Sequence, residues 1–247
     1  MASFTRPRPV AWFFFLLAFG TCMVLGTWQV QRLQWKENLI AEIAEANAQE
    51  PLKALPTNDA LAAAQFRTVR VSGTWLPEQE FHLTPRYYRN QFGYGIVTPL
   101  KLADGRILLV NRGWVPGKKK LPETRPETAV KGKANFLGLI RTDADRNYFT
   151  PPNQPQKNIW FGRDAMEMAD YAQLKNAAPA IVDIITPSAP LTHADAKVTD
   201  AEPAPKLPVP SDGQIRLRND HLSYIITWYG IALGILVIFL VYHRKKV

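Results

Sequence analysis

Two apolar stretches constrain the fold more than anything else in the chain. One runs from Pro9 to Gln31 (PVAWFFFLLAFGTCMVLGTWQVQ), the other from His221 to His243 (HLSYIITWYGIALGILVIFLVYH), and neither holds a Lys, Arg, Asp or Glu. Each run is 23 residues, so as a helix it reaches roughly 34 Å, against about 30 Å of bilayer hydrocarbon. Buried core helices rarely stay apolar for so long. The sequence therefore predicts transmembrane helices over 9–31 and 221–243, flanking one soluble domain.

Flanking charge suggests how such a chain lies. Arg6 and Arg8 precede the first stretch, and Arg244, Lys245 and Lys246 follow the second. Basic residues favour the cytoplasmic side, so both termini are expected there. The long middle domain can translocate regardless of its own charge and is expected in the periplasm. No small-residue cleavage site follows the first stretch, which reads as an uncleaved anchor rather than a signal peptide, and too few residues precede it for a transit peptide. The expected location is a bacterial inner membrane.

Thirty basic against 21 acidic residues give a net charge of +9. The basic residues are spread out, with one tight run at Lys118-Lys119-Lys120, which fits a solvated surface beside anionic lipid and no nucleic-acid partner. The single cysteine, Cys22, permits no disulfide within the chain, and soft ligands are too few for a copper chaperone.

Between the spans the signals are mostly those of strands. The first helix is expected to run on past the membrane until Pro51 and Pro56 end it. Phe66–Ser72 places Val69 and Val71 on one face, and Glu80–Leu83 is a short candidate. In GIVTPLKLADGRILLVNRGW, Asp104-Gly105 signals a two-residue hairpin turn pairing Leu102 with Ile107 and Leu100 with Leu109. Val130–Arg141 and Ala180–Ile185 read as further strands. Asp164 and Glu167 have capping-box spacing and predict a helix over Asp164–Lys175. Residues 186–213, rich in Pro and Ala, read as an extended tether. The fold class is an α+β membrane protein: two transmembrane helices flanking a strand-dominated domain, 32–185, a sheet or open barrel with one or two helices.

No catalytic constellation emerges from the soluble domain: nucleophile elbow, phosphate loop and zinc-protease motif are all missing. The chain reads as a non-enzyme. Gly93-Tyr94-Gly95 reads as a tight turn, Asp143 and Asp145 as solvated partners of Arg141 and Arg146, and His82 and His193 as isolated.

His221 differs. It opens the second apolar stretch, and Tyr224 and Trp228, three and seven residues on, share its helical face. A helix N-terminus favours neutral imidazole, the form that ligates metals. A planar cofactor such as a haem would find an axial ligand there, aromatic walls, and Arg218, Arg216 or Arg32 for its propionates. An interfacial polar residue beside an aromatic belt explains the same residues. On the first helix Trp28, Arg32 and Trp35 share a face, with Gln29, Arg32 and Lys36 on an adjacent one.

Taken together, these motifs resemble a known family. Gly26-Thr27-Trp28-Gln29 with Arg32, Trp35 and Lys36 is similar to the opening motif of the surfeit locus protein 1 family. Gly93-Tyr94-Gly95 through Thr98-Pro99-Leu100 to Asn111-Arg112-Gly113-Trp114-Val115-Pro116 resembles its central motif. Trp160 and Arg163-Asp164 resemble the stretch before its soluble helix, and Asn219, His221-Leu222, Tyr224 and Thr227-Trp228 its closing motif. Asp220 stands where a second Asn is expected, and the tether is long.

The resemblance implies a role in building haem–copper cytochrome c oxidase. It implies transient binding of haem a, with His221 as iron ligand, and delivery to the catalytic subunit. The partners it implies are that subunit and a haem a synthase, together with membrane lipid. Trp28, Arg32, Tyr224, Trp228 and Arg218 are the expected cofactor-binding residues around His221. A haem-free scaffold that docks on an oxidase assembly intermediate, with Arg112 and Trp114 as docking candidates, is the alternative.

Overall fold

A computed structural model describes residues 7–142, 144, 146–186, 206–211 and 220–244. It divides the chain into two units, one formed by residues 1–44 with 215–247 and the other by 45–214.

The first unit is a pair of long helices. Helix α1 spans Pro9–Ala48, so the apolar run does continue into a polar extension, and the chain leaves the helix just ahead of Pro51. Helix α3 spans His221–His243. Both are long and apolar enough to cross a membrane, and only 11% and 6% of their apolar windows are buried within the protein. A soluble core helix would hide most of that surface. Here Val24, Ile226, Leu233 and Ile238 are exposed, as lipid-facing residues are.

The two helices run antiparallel, as their contacts show. Phe15 near the start of α1 stacks on Phe239 near the end of α3, with ring centroids 4.2 Å apart. Thr27 Oγ1 lies 3.2 Å from the Tyr229 hydroxyl. The buried residues Cys22, Gly26 and Gln29 recur at spacings of four and three, which puts them on one stripe of α1. Gly26 belongs there because the Tyr229 ring crosses it: a Cβ at that position would sit 2.8 Å from Tyr229 Cε1.

The second unit is a small barrel. Its strands are β1 (Thr68–Trp75), β2 (Phe81–Tyr88), β3 (Gln91–Leu102), β4 (Ile107–Pro116), β5 (Lys133–Arg141) and β6 (Ala177–Ile184), with helix α2 at Ala165–Tyr171. The sheet order is β1-β5-β6-β4-β3-β2, and a further pairing of β1 with β3 closes a ring of five strands. Strand β3 makes this possible by its length. One edge pairs with β4, while the other pairs with β2 through Gln91–Val97 and with β1 through Leu100–Leu102. Strands β4 and β6 are parallel, and the other pairs are antiparallel.

Alternation along the strands sorts two cores. Val69, Val71, Leu100, Leu108, Val110, Ile140, Ala178, Ala180 and Val182 fill the ring. Phe81, Leu83, Val97, Leu109 and Ile181 face outward and are covered by Trp160 and by Ala165 and Met168 of α2. Both faces of β4 are thus buried, so its run of apolar residues does not alternate.

The structure corrects several expectations. The hairpin turn is longer than two residues: Gly105 N–H donates to Leu102 O, Leu102 N–H donates to Arg106 O, and Gly105 takes φ +85°. This is a three-residue loop with a bulge. It shifts the register so that Leu100 faces Leu108 and Lys101 faces Ile107. Leu109 consequently joins the outer core. Gly93-Tyr94-Gly95 is a segment of β3 and not a tight turn. Helix α2 is shorter than expected, although Asp164 caps it by accepting from Glu167 N–H at 3.0 Å. Residues 206–211, expected within the tether, are tied to the barrel: Val209 pairs with Trp114 and Ser211 with Ile185. The rest of that segment, 187–205 and 212–213, lies outside the described residues, as do Asp143, Asp145 and His193.

Candidate functional site

His221 is the first residue of α3. Its Nδ1 lies 2.6 Å from Oε1 of Gln29 on α1. Gln29 is 8% exposed, so its amide has little water to bond with. An amide oxygen only accepts, so the imidazole nitrogen facing it carries the proton and donates. In the neutral ring the lone pair then lies on Nε2, which makes no hydrogen bond among the described residues. A neutral imidazole with one nitrogen anchored by an outer partner and the other free is the usual arrangement of a metal-ligating histidine.

The other expected site residues fall into place unevenly. Tyr224 is 53% exposed and Trp228 half-buried, and their spacing from His221 sets all three on one face of α3. Trp28 precedes Gln29 on α1 and is 50% exposed. Among the described residues no ring contact or hydrogen bond joins these three aromatics to His221. Arg32 holds its guanidinium over the Trp35 ring, 4.3 Å from the centroid, a cation–π pair that orients both. Arg218, Arg216 and Asn219 lie outside the described residues. Ser223 Oγ donates to Asp220 O at 2.8 Å, so the first turn of α3 is fixed around His221.

A haem-like cargo needs an axial nitrogen with a free lone pair and flat apolar surface, and α3 carries residues of those kinds on one face in His221, Tyr224 and Trp228. The described residues include no group of three or more His, Cys, Asp or Glu that could hold a metal ion. Gln29 was legible as a helix-face residue but not as the partner of His221. The signal lay in its polarity: an amide deep in an apolar helix needs a partner, and a neighbouring helix is the usual source.

Two further residue groups from the motifs prove to be interior. Asn111 Nδ2 donates to Asp183 Oδ1 at 2.8 Å, and Arg163 NH1 donates to both Asp183 oxygens at 2.7 and 2.6 Å. Burial opposes ionisation of Asp183, but Arg163, Arg141 and Asn111 outweigh it and hold the carboxyl below its ordinary range. Arg112 and Trp114 are 7% and 8% exposed. Trp114 lies against Tyr88, with centroids 5.4 Å apart, and pairs with Val209. Gly113 takes φ +125° with Val209 O close against it, a conformation that suits glycine. His82, which looked isolated, is buried and bonded through Nε2 to Glu80 Oε1 at 2.9 Å.

Comparison with known proteins agrees with the motifs. Residues 16–233 match the model of the SURF1 family. A SURF1-like protein of Monosiga brevicollis is 36% identical over 90% of this chain and 83% of its own length. Surfeit locus protein 1 of Mus musculus is 34% identical, over 90% of this chain and 71% of its own. The Homo sapiens protein of the same name is also 34% identical, over 86% and 70%. The match takes in both apolar helices, the barrel and the His221 motif, and the chain belongs to the SURF1 family.

Proposed function

We propose that the protein is an assembly factor for a haem–copper cytochrome c oxidase, which holds haem a transiently at the membrane and aids its delivery to the oxidase catalytic subunit. The observation that carries this reading is the His221–Gln29 hydrogen bond, which leaves Nε2 as a free ligand atom. Haem would supply the iron, and this chain would supply one nitrogen, aromatic surface and a membrane position. A single protein ligand suits cargo that must be released. A haem a synthase is the natural donor and the catalytic subunit the acceptor.

We place α1 and α3 in a bacterial inner membrane with both termini in the cytoplasm and the barrel in the periplasm. Arg8 ahead of α1 and Arg244 behind α3 support that orientation. A haem-free scaffold docking through Arg112 and Trp114 has less support, because both side chains are interior.

The test is oxidase maturation in cells lacking the protein. Complementation with the wild type should restore oxidase containing haem a, whereas His221→Ala should restore folded, membrane-bound protein without restoring the haem a content. Full restoration by His221→Ala would overturn the reading.

A further inference from the structure

At one end of the barrel the apolar lining gives way to buried charge. Thr98 and Arg112 lie one side-chain step beyond Leu100 and Val110 on the interior face. Glu80 approaches from the loop before β2, and Arg125, Thr128 and Lys131 from the turns between β4 and β5. These six residues line a cavity of about 130 Å³. That is room for one small polar group with water.

The charges there do not balance. Arg125, 2% exposed, spends four of its five N–H groups within the protein: Nε donates to Lys119 O at 2.9 Å, NH1 to Thr128 Oγ1 at 2.9 Å, and NH2 to Glu80 Oε1 and to Lys120 O. Glu80 is shared between Arg125 and His82. Burial works against its ionisation, but the hydrogen bonds from His82 and Arg125 prevail and keep its carboxyl below the ordinary value. Arg112 is left short. Its NH2 donates to Thr128 O, while NH1 stands 3.9 Å from Glu80 Oε2, too far for a hydrogen bond. Among the described residues two guanidinium groups therefore face one carboxylate, and Arg112, which Glu80 reaches only at 3.9 Å, is nearly buried. Burial lowers the Arg112 pKa to about 10, with Glu80 opposing and Arg125 reinforcing the shift.

A second, independent observation points into the same cavity. Thr98 is 1% exposed, and among the described residues its hydroxyl has no hydrogen-bond partner. Buried hydroxyls are nearly always bonded. An oxyanion in the cavity would meet both needs, accepting from the unused N–H edge of Arg112 and from the Thr98 hydroxyl, in the charge-assisted manner that arginine favours.

We propose that this end of the barrel is a binding site for one small oxyanion, a carboxylate or a phosphate group, held by Arg112 and Thr98. The site lies within the barrel unit and does not depend on His221 or on haem.

The full chain, purified in a neutral detergent, is titrated calorimetrically with sodium phosphate and separately with sodium acetate, at ionic strength fixed with sodium chloride. One equivalent of at least one anion should bind saturably, and the tighter of the two identifies the class. Binding should weaken about tenfold in Arg112→Met and measurably in Thr98→Val, and should be unchanged in Lys101→Gln. If Arg112→Met does not fold, the near-isosteric Thr98→Val decides alone. Failure of both anions to bind the wild type would overturn the proposal, as would binding that Thr98→Val and any folded Arg112→Met leave untouched.

Discussion

Gln29 and His221 are 192 residues apart in sequence, yet their side chains meet at 2.6 Å and join the two apolar helices. The pair links a helix-packing contact to a chemical state, because the amide oxygen that draws the helices together also sets which imidazole nitrogen carries the proton. Gln29→Leu removes the acceptor and frees the ring to turn or change tautomer. Haem a affinity is expected to fall about tenfold, in line with other losses of a ligand's outer partner. Gln29→Glu keeps an acceptor and should stay near the wild-type value. Haem titration of the purified variants checks both, and a Leu variant that binds as the wild type does would remove Gln29 from the account.

Close approach of the helices should be sensitive to one methyl group. Gly26→Ala would place Cβ 2.8 Å from Tyr229 Cε1. Overpacking of this kind costs about 1–3 kcal/mol. The thermal midpoint of the full chain in detergent should drop, and Tyr229→Leu in the same chain should recover part of the loss. A Gly26→Ala midpoint equal to the wild type would show that the helices have room to spare.

Asp183 holds the barrel by charge. Asp183→Asn leaves Arg163 and Arg141 without their carboxylate and is expected to destabilise by about 3–5 kcal/mol in chemical unfolding. The sign of the pH effect follows from its lowered folded pKa. The unfolded chain binds the proton first, so this contribution is present above the ordinary carboxylate pKa of about 4 and is lost as pH falls below it. Stability measured from pH 6 downward should fall more steeply in the wild type than in Asp183→Asn, and parallel profiles would contradict the assignment.

Gly113 tests the docking of residues 206–211. With φ at +125° and Val209 O already 2.1 Å from where a Cβ would stand, Gly113→Ala must push the Val209 strand away. Limited proteolysis should then cut near Val209 faster than in the wild type. An unchanged rate would mean that the pairing with Trp114 survives the methyl group.

The sequence made some of this legible and hid the rest for physical reasons. The apolar helices were visible because runs of 23 residues without a charge are longer than a buried core helix usually stays apolar. Val69 and Val71 were visible because alternation reports a face. The hairpin register was missed because Asp104-Gly105 suits both a two-residue turn and a three-residue loop with a bulge, and β4 is apolar on both faces, so its pattern could not choose. The closing of the ring was hidden because it depends on β3 changing partners along one edge. His221 stood out by its chemistry. Gln29 did not, since an amide announces no partner until the helices are side by side. Arg112 and Trp114 looked equally suited to docking or to packing; both are nearly buried, Trp114 against Tyr88 and Arg112 at the lined cavity.

Ligation of haem a by His221, as proposed, should show in the absorption spectrum of the protein purified in mild detergent from cells that make haem a. A Soret band is expected in the wild type and should be lost or shifted in His221→Ala while the protein remains folded. A band that His221→Ala leaves unchanged, or no band at all from cells with ample haem a and working oxidase assembly, would contradict it.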